Sequence, residues 1–573
     1  MESVADTSRN GGSDTVAFNS GFKGNVFHLI LSSLIINILA LAMPLMMLQT
    51  YDRILPNHGY GTLTLLMAGV GCALILEIVL RLARSYLTGW AGAVFEHKTG
   101  CRALRHLLQA DMQEVEKQGS GAYLQKMASI GRLRGFYSGQ ALVTLIDLPF
   151  VLTFLVLIAY IAGRLVLVPV VLLAAFCMIA WVIGMRLKQE VRDQDFSGKI
   201  RYNYLIETLS GIHTIKALGL EKFFQRRSER LQNGMSICHF KVSLSNNVAS
   251  NLGMLFSRIM TVAVVSFGAL QVIEGKMGTG GLAACILLSG RIMQPVQRAL
   301  GLWTRFQSFF IDKQELSEIF ALPTRPSGNG QVIKIRGDLN LDEVSFRYRD
   351  QEIDLLREVN LELRAGQSIS LSGFPGSGKT TLLYLIAGLL SPTGGRITVD
   401  GVAPGRLPPS VLASHVGYLP EKGEVFMGTI RENLTFFGTV PEEDAMMAAR
   451  KLGIDQTVAL LPAGYETVIS DRVTDPVPPG IKQRIAVARI LANKPRIILF
   501  NNADRGLDKN GYNRLFTLLG RLKPRTVLVI ISDDHNILRL ADREFFLSAG
   551  ELRETAPADS KKHSVLPFRE LRV

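Results

Sequence analysis

Cysteine is scarce in this chain. The five cysteines in 573 residues (Cys72, Cys101, Cys177, Cys238 and Cys285) are scattered, with no paired or metal-ligand spacing. That excludes a disulfide framework, and three of the five lie in apolar runs, where they read as small buried hydrophobes. The first apolar run is expected to be a membrane span and not a secretory leader. It is too long for a signal-peptide core, and no small-residue cleavage site follows it. Acidic residues are outnumbered, 49 against 63 basic ones, which leaves a net charge of +14. In a chain with long apolar runs, such an excess marks cytoplasmic loops beside anionic lipid, not a nucleic-acid face.

What is present starts at Gly373–Thr381, which reads G-F-P-G-S-G-K-T-T. Gly373, Gly378, Lys379 and Thr380 fill the phosphate-cradle pattern G-x-x-x-x-G-K-[ST]. A loop that wraps a phosphate chain turns successive backbone N–H groups inward, which requires glycine where φ is positive or the ligand sits close. Lys379 then supplies charge to the outer phosphates and Thr380 a hydroxyl ligand to Mg²⁺. An apolar strand, 368–372, precedes the loop, and an apolar helix, 381–390, follows with its N-terminus toward the anion. This is a nucleotide site, with Gly376, Ser377 and Thr381 completing the cradle.

The hydrophobic fraction, 48%, is concentrated in the first half. Six runs approach the ~20 apolar residues that cross a bilayer core: 26–48, 63–82, 141–162, 165–185, 252–272 and 281–302. Arg291 and Arg298 interrupt the last. Lys and Arg crowd the stretches between spans two and three and between spans four and five, while the other connections are short and nearly uncharged. Positive charge stays inside, so both long loops and both termini are expected in the cytoplasm. The expected organisation is a flexible tail at 1–20, a membrane domain at 21–321, a linker at 322–336, an α/β nucleotide domain at 337–553 and a basic tail at 554–573. The fold class is therefore a six-span α-helical membrane domain followed by an α/β P-loop domain.

Several stretches together resemble an ABC exporter half-transporter. Val344-Ser-Phe-Arg-Tyr348 is similar to the segment whose aromatic residue stacks on adenine, which implies that role for Tyr348. Val416–Glu421 and Phe426–Asn433 resemble the loop that joins the phosphate site to the membrane domain. Gln483–Leu491 resembles the helix after the family signature, and Glu207–Ala217 the exporter's intracellular helix. Tyr51–His58 and Leu145–Phe150 narrow the resemblance to the ABC components of type I protein secretion. That group exports unfolded polypeptides with a membrane-fusion partner and an outer-membrane channel, from the inner membrane. Only a short tail precedes the first span, so the N-terminal peptidase-like domain of some members is expected to be missing.

The resemblance fails where the family does its chemistry. The family's strand ends in Asp-Glu, metal ligand and general base; here Ile497–Phe500 is followed by Asn501-Asn502. A carboxamide orients water but takes no proton from it at neutral pH. The switch histidine falls at Asp533, with His535 two residues on. The signature Leu-Ser-Gly-Gly-Gln becomes Val477-Pro-Pro-Gly-Ile481, which keeps Gly480 but loses the hydroxyl and two N–H donors. The metal-ligating glutamine is Glu421, so one carboxylate is added to the metal shell as Asn501 removes one.

The resemblance thus implies a dimeric transporter subunit that binds ATP and Mg²⁺ but hydrolyses poorly. It pairs with an identical chain or with another ABC half-transporter. Two alternatives stay open: a working homodimeric exporter with Asp504 or Asp533 as base, and a membrane scaffold that uses nucleotide structurally.

Overall fold

The computed structural model describes residues 23–137, 140–325, 336–470 and 477–555. The expected N-terminal tail, most of the linker and the C-terminal tail from residue 556 lie outside them. Two compact units emerge, Met1–Gln109 with Val115–Leu322, and Ala110–Glu114 with Pro323–Val573.

The first unit is helical. Among the described residues, four helical stretches are long and apolar enough to cross a membrane: Phe27–Ile54, Tyr60–Gln109, Val143–Ser210 and Glu221–Ile273. The third holds two of the expected spans. Pro149, which has no N–H to donate, separates Gln140–Asp147 from Phe150–Ala162. Gly163, at φ +52°, then opens a short turn before Leu167–Ser210. Most of the sixth expected run lies in Thr279–Gly301, which is long enough at 23 residues but falls short of that apolarity. Instead its Ala284, Cys285, Leu288, Ile292 and Met293 are buried against neighbouring helices. The 53 residues of Glu221–Ile273 extend ~80 Å, against a hydrocarbon core of ~30 Å. Helices therefore run far past the apolar segments that identified them.

The cysteines depart from expectation. All five are free, but only Cys285 is buried, while Cys72, Cys101 and Cys177 are exposed on the outer faces of helices.

Both motifs that narrowed the resemblance are polar anchors inside this unit. Asp52, in a π-helical turn at Thr50–Ile54, accepts a hydrogen bond from the backbone N–H of Gly280 at 2.8 Å. Asp147 is buried and accepts from Arg84 Nη1 and Asn37 Nδ2, each at 3.3 Å. Arg84 also donates to Ser33 Oγ at 2.8 Å, and Arg298 stands 3.9 Å from Asp147. One ionic node thus ties Lys23–Leu39, Tyr60–Gln109, Gln140–Asp147 and Thr279–Gly301.

The second unit is α/β. Its strands are β1 (Leu339–Phe346), β2 (Leu356–Leu363), β3 (Ser368–Gly373), β4 (Gly394–Val399), β5 (Val416–Leu419), β6 (Gly428–Thr429), β7 (Val468–Ile469), β8 (Ile497–Asn501), β9 (Val527–Ile531), β10 (Arg543–Ser548) and β11 (Glu551–Thr555). A six-stranded sheet has the order β11-β10-β3-β9-β8-β5, parallel except for β11. An antiparallel sheet β2-β1-β4 and a β6-β7 pair accompany it. Strand β11 carries the domain past residue 553, where it had been expected to end. The helix after the phosphate loop is Lys379–Ile386, which starts and stops earlier than expected.

Strands β8 and β9 are apolar except for Asn501 at the end of β8, and buried at every residue. Alternate side chains enter opposite cores, Ile497 and Leu499 one, Ile498 and Phe500 the other. Each such side chain contributes ~1.5–3 kcal/mol by leaving water. A strand covered on both faces has no lateral room for polar chemistry, which is confined to its carboxyl end.

The ionic node makes a prediction. Replacing Asp147 by Ala leaves Arg84 buried without its anion and should destabilise the membrane domain by ~3–5 kcal/mol, with a smaller loss for Asp147→Asn. Thermal unfolding of the purified chain in detergent checks this; an unchanged midpoint for Asp147→Ala would show that the node does not hold the helices.

Candidate functional site

The phosphate loop leaves the end of β3 and enters the helix Lys379–Ile386. Gly373, at φ +152°, cannot carry a side chain, because a Cβ there would lie 2.4 Å from the carbonyl oxygen of Leu547. Gly378 caps the helix at φ +100°, a left-handed conformation that glycine adopts without strain. Gly376 faces open space. Ser377 Oγ is buried and lacks a hydrogen-bond partner. An unpaired hydroxyl and a free helix N-terminus fit a polyphosphate. Lys379 Nζ donates to its own loop, to Gly373 O at 2.6 Å and Phe374 O at 3.0 Å. Burial lowers the Lys379 ammonium from its ordinary value, and the charge of Asp533 opposes that shift. Tyr348 hydroxyl lies 3.1 Å from Thr381 Oγ1, so the aromatic residue expected beneath adenine is fastened to the loop's helix.

The family's catalytic positions gather at the ends of the next three strands. Asn501, at the end of β8, is buried and donates through Nδ2 to the hydroxyl of Tyr418 at 2.9 Å. Burial pushes the Tyr418 phenol above its ordinary range, so it stays protonated. Asn502 follows at φ +49°, a left-handed conformation that asparagine tolerates. Its N–H donates to Ile531 O at 2.8 Å, and its Oδ1 is buried without a partner. Asp504 accepts from Ser532 Oγ at 3.1 Å, and burial raises its carboxyl above the usual carboxylate value.

Arg505 was not singled out by the sequence. Its guanidinium pairs with Glu421, which follows β5, and with Asp533, which follows β9. The switch-histidine position thus holds a carboxylate in an ion pair, and His535 opens the short helix His535–Leu538 instead, exposed to solvent. A positive residue three places after the Asn pair was the available signal.

The signature segment opens the helix Pro479–Ala492, with Pro478 at the cap offering no side-chain hydrogen bond. Val477 and Ile481 are buried in the core below. A Cβ on Gly480 would lie 3.1 Å from Gly506 O, which keeps this position small. Gln483 is buried and joins three segments. It donates through Nε2 to Pro420 O at 3.0 Å and Ala503 O at 3.1 Å, and accepts from Gly423 N–H.

Two family models match the chain, one described as the ABC transporter transmembrane region over residues 26–296 and one as ABC transporter over residues 356–504. This chain belongs to the ABC transporters. The cyclolysin secretion/processing ATP-binding protein CyaB of Bordetella pertussis is 29% identical over 92% of this chain and 74% of its own length. The leukotoxin translocation ATP-binding protein LktB of Mannheimia haemolytica is 27% identical over 94% of this chain and 75% of its own. The leukotoxin export ATP-binding protein LtxB of Aggregatibacter actinomycetemcomitans is 27% identical over 92% and 74%. These names agree with the resemblance to type I secretion components read from Tyr51–His58 and Leu145–Phe150.

An ABC transporter domain implies ATP, and the loop fits it. The expected Mg²⁺ set fits less well. Of Thr380, Glu421 and Asn501, the second is paired with Arg505 and the third donates to Tyr418. Among the described residues, no three His, Cys, Asp or Glu side chains gather to hold a metal ion.

Lys379→Ala should weaken ATP binding, measured by calorimetry, by at least about tenfold, the worth of one charge-assisted hydrogen bond. Tyr348→Ala should cost less, ~1–3 kcal/mol of stacking, and Tyr348→Phe less still. Absence of ATP binding to the unaltered chain would make the loop a relic.

Proposed function

We propose that this ABC transporter subunit takes part in polypeptide export as one half of a dimer in the inner membrane, holding ATP at Gly373–Thr381 without hydrolysing it efficiently. The observation that carries this reading is an intact phosphate loop after β3 together with Asn501-Asn502, not Asp-Glu, at the end of β8. The Asn502 side chain occupies the position of the family's base with a buried carboxamide that has no proton-accepting role at neutral pH. Loss of a general base lowers a rate by ~10²–10⁴. Pro478 and Pro479 remove donors at the signature of any partner site as well.

The names of the relatives, which concern secretion and export of cyclolysin and leukotoxin, support a polypeptide cargo. A membrane-fusion protein and an outer-membrane channel would complete such a pathway, and both termini would then face the cytoplasm. The partner subunit is a second copy or another ABC half-transporter. A non-identical partner would bring its own base and histidine, and close its own signature over the ATP held at Lys379.

Asp504 gives a second reading some support, because a carboxyl raised by burial suits a general base. In that reading the chain is a working homodimeric ATPase and exporter. ATP turnover by pure protein separates the two, and Asp504→Asn would abolish it only in the second.

Under the proposed reading, Asn502→Glu alone should not bring the purified homodimer to ordinary exporter rates. The signature prolines and Asp533 would remain. Brisk phosphate release from that single variant would overturn the account of the signature. The subunit composition of the complex isolated from its source membrane decides between a second copy and another half-transporter.

A further inference from the structure

Four adjacent parallel strands end at one edge of the sheet, and each delivers a charged residue there. Lys379 follows β3, Asp533 follows β9, Arg505 follows β8 and Glu421 follows β5. Arg505 spans the last three, pairing with Glu421 through one terminal nitrogen and with Asp533 through the other. The side chains of Arg505, Glu421 and Asp533 are 52%, 48% and 74% exposed. An ion pair so placed is weakly held and exchanges partners readily.

The divalent cation does not fit this arrangement. Asn501, in place of the metal-ligating carboxylate, is turned to Tyr418, and Glu421 is already neutralised by a guanidinium. The local charge has changed too. The family's Gln, Asp, Glu and neutral His bring two negative charges. Here Glu421, Asp533 and the half-buried Asp504 supply the carboxylates, Asn501 and Asn502 supply none, and Arg505 brings a positive charge. A fixed cation already stands in the field that a metal would offset.

We propose that ATP at Gly373–Thr381 is bound without a divalent cation, with the Arg505 guanidinium as the counter-charge for its terminal phosphate. This rests on the reading that the loop binds ATP. On binding, Arg505 exchanges one carboxylate for phosphate oxygens. Its planar fork matches a phosphate as well as it matches a carboxylate, so no N–H is left unpaired. The carboxylate released turns to solvent, to which both Glu421 and Asp533 are already open.

The test is ATP binding to the full chain in detergent, by calorimetry, in excess EDTA and again in millimolar Mg²⁺. The unaltered chain should show dissociation constants within about threefold of each other. Arg505→Ala should lose about tenfold or more in EDTA, the worth of a charge-assisted hydrogen bond. Magnesium should then recover part of the loss, because Glu421 is free to take the ion. Arg505→Lys, which keeps the charge without the fork, should fall between. Equal thermal midpoints of the variants would confirm that the fold is intact, as expected for an exposed side chain.

Binding by the unaltered chain only when Mg²⁺ is present would overturn the proposal while leaving ATP binding itself standing. So would Arg505→Ala that binds ATP in EDTA as tightly as the unaltered chain. No binding under either condition, with Lys379→Ala indistinguishable from the unaltered chain, would overturn the nucleotide reading and this proposal together.

Discussion

A parallel strand covered on both faces can do chemistry only where it ends. Strands β8 and β9 are buried at every residue between two apolar cores, so their sequences are committed to packing until Asn501 and Ile531. Everything polar in the second unit's site follows from that constraint. The phosphate loop, the Asn pair, Arg505, Asp533 and Glu421 converge because their strands run the same way and stop together. The cores fix the position of this edge and leave its residues free to vary. The scaffold of this edge is therefore set by packing, whichever residues stand on it.

The edge has been rewired more than emptied. Tyr418 takes up the amide of Asn501, Ser532 donates to Asp504, and Arg505 joins two carboxylates that would otherwise repel each other across the mouth. Unpaired polar atoms remain at Ser377 Oγ and Asn502 Oδ1. The first lies in the phosphate loop after β3 and the second directly after β8. Burial makes an unpaired polar atom costly, and a ligand that reaches it recovers the loss.

The phosphate loop was legible because its glycines and lysine are required at fixed spacing by backbone geometry alone, as Gly373 and Gly378 show. The altered residues Asn501 and Asn502 were legible by adjacency to an apolar strand. Arg505 was not, since its partners lie 84 and 28 positions away and meet it only through the strand order β9-β8-β5. Helix ends in the first unit were equally hidden, because Glu221–Ile273 continues past its apolar segment with no change in backbone. Burial of Cys72 and Cys177 was misjudged for a related reason. Lipid tails are as apolar as a protein core, so an apolar run does not say which of them a residue faces.

Asp52 shows how a short motif constrains a distant one. Its carboxylate fills the space that a Cβ would need at both Gly278 and Gly280, with contacts of 2.4 Å and 2.8 Å. The acid and the two glycines therefore form one packing unit, although more than two hundred residues separate them. A side chain at Gly278 would clash with Asp52 and one at Gly280 with both Asp52 and the carbonyl oxygen of Leu48, while a residue at 52 without an acceptor would lose the hydrogen bond from Gly280. The corner that carries Tyr51–His58 is thus closed by packing, whereas Arg505 and its two partners stand open to solvent.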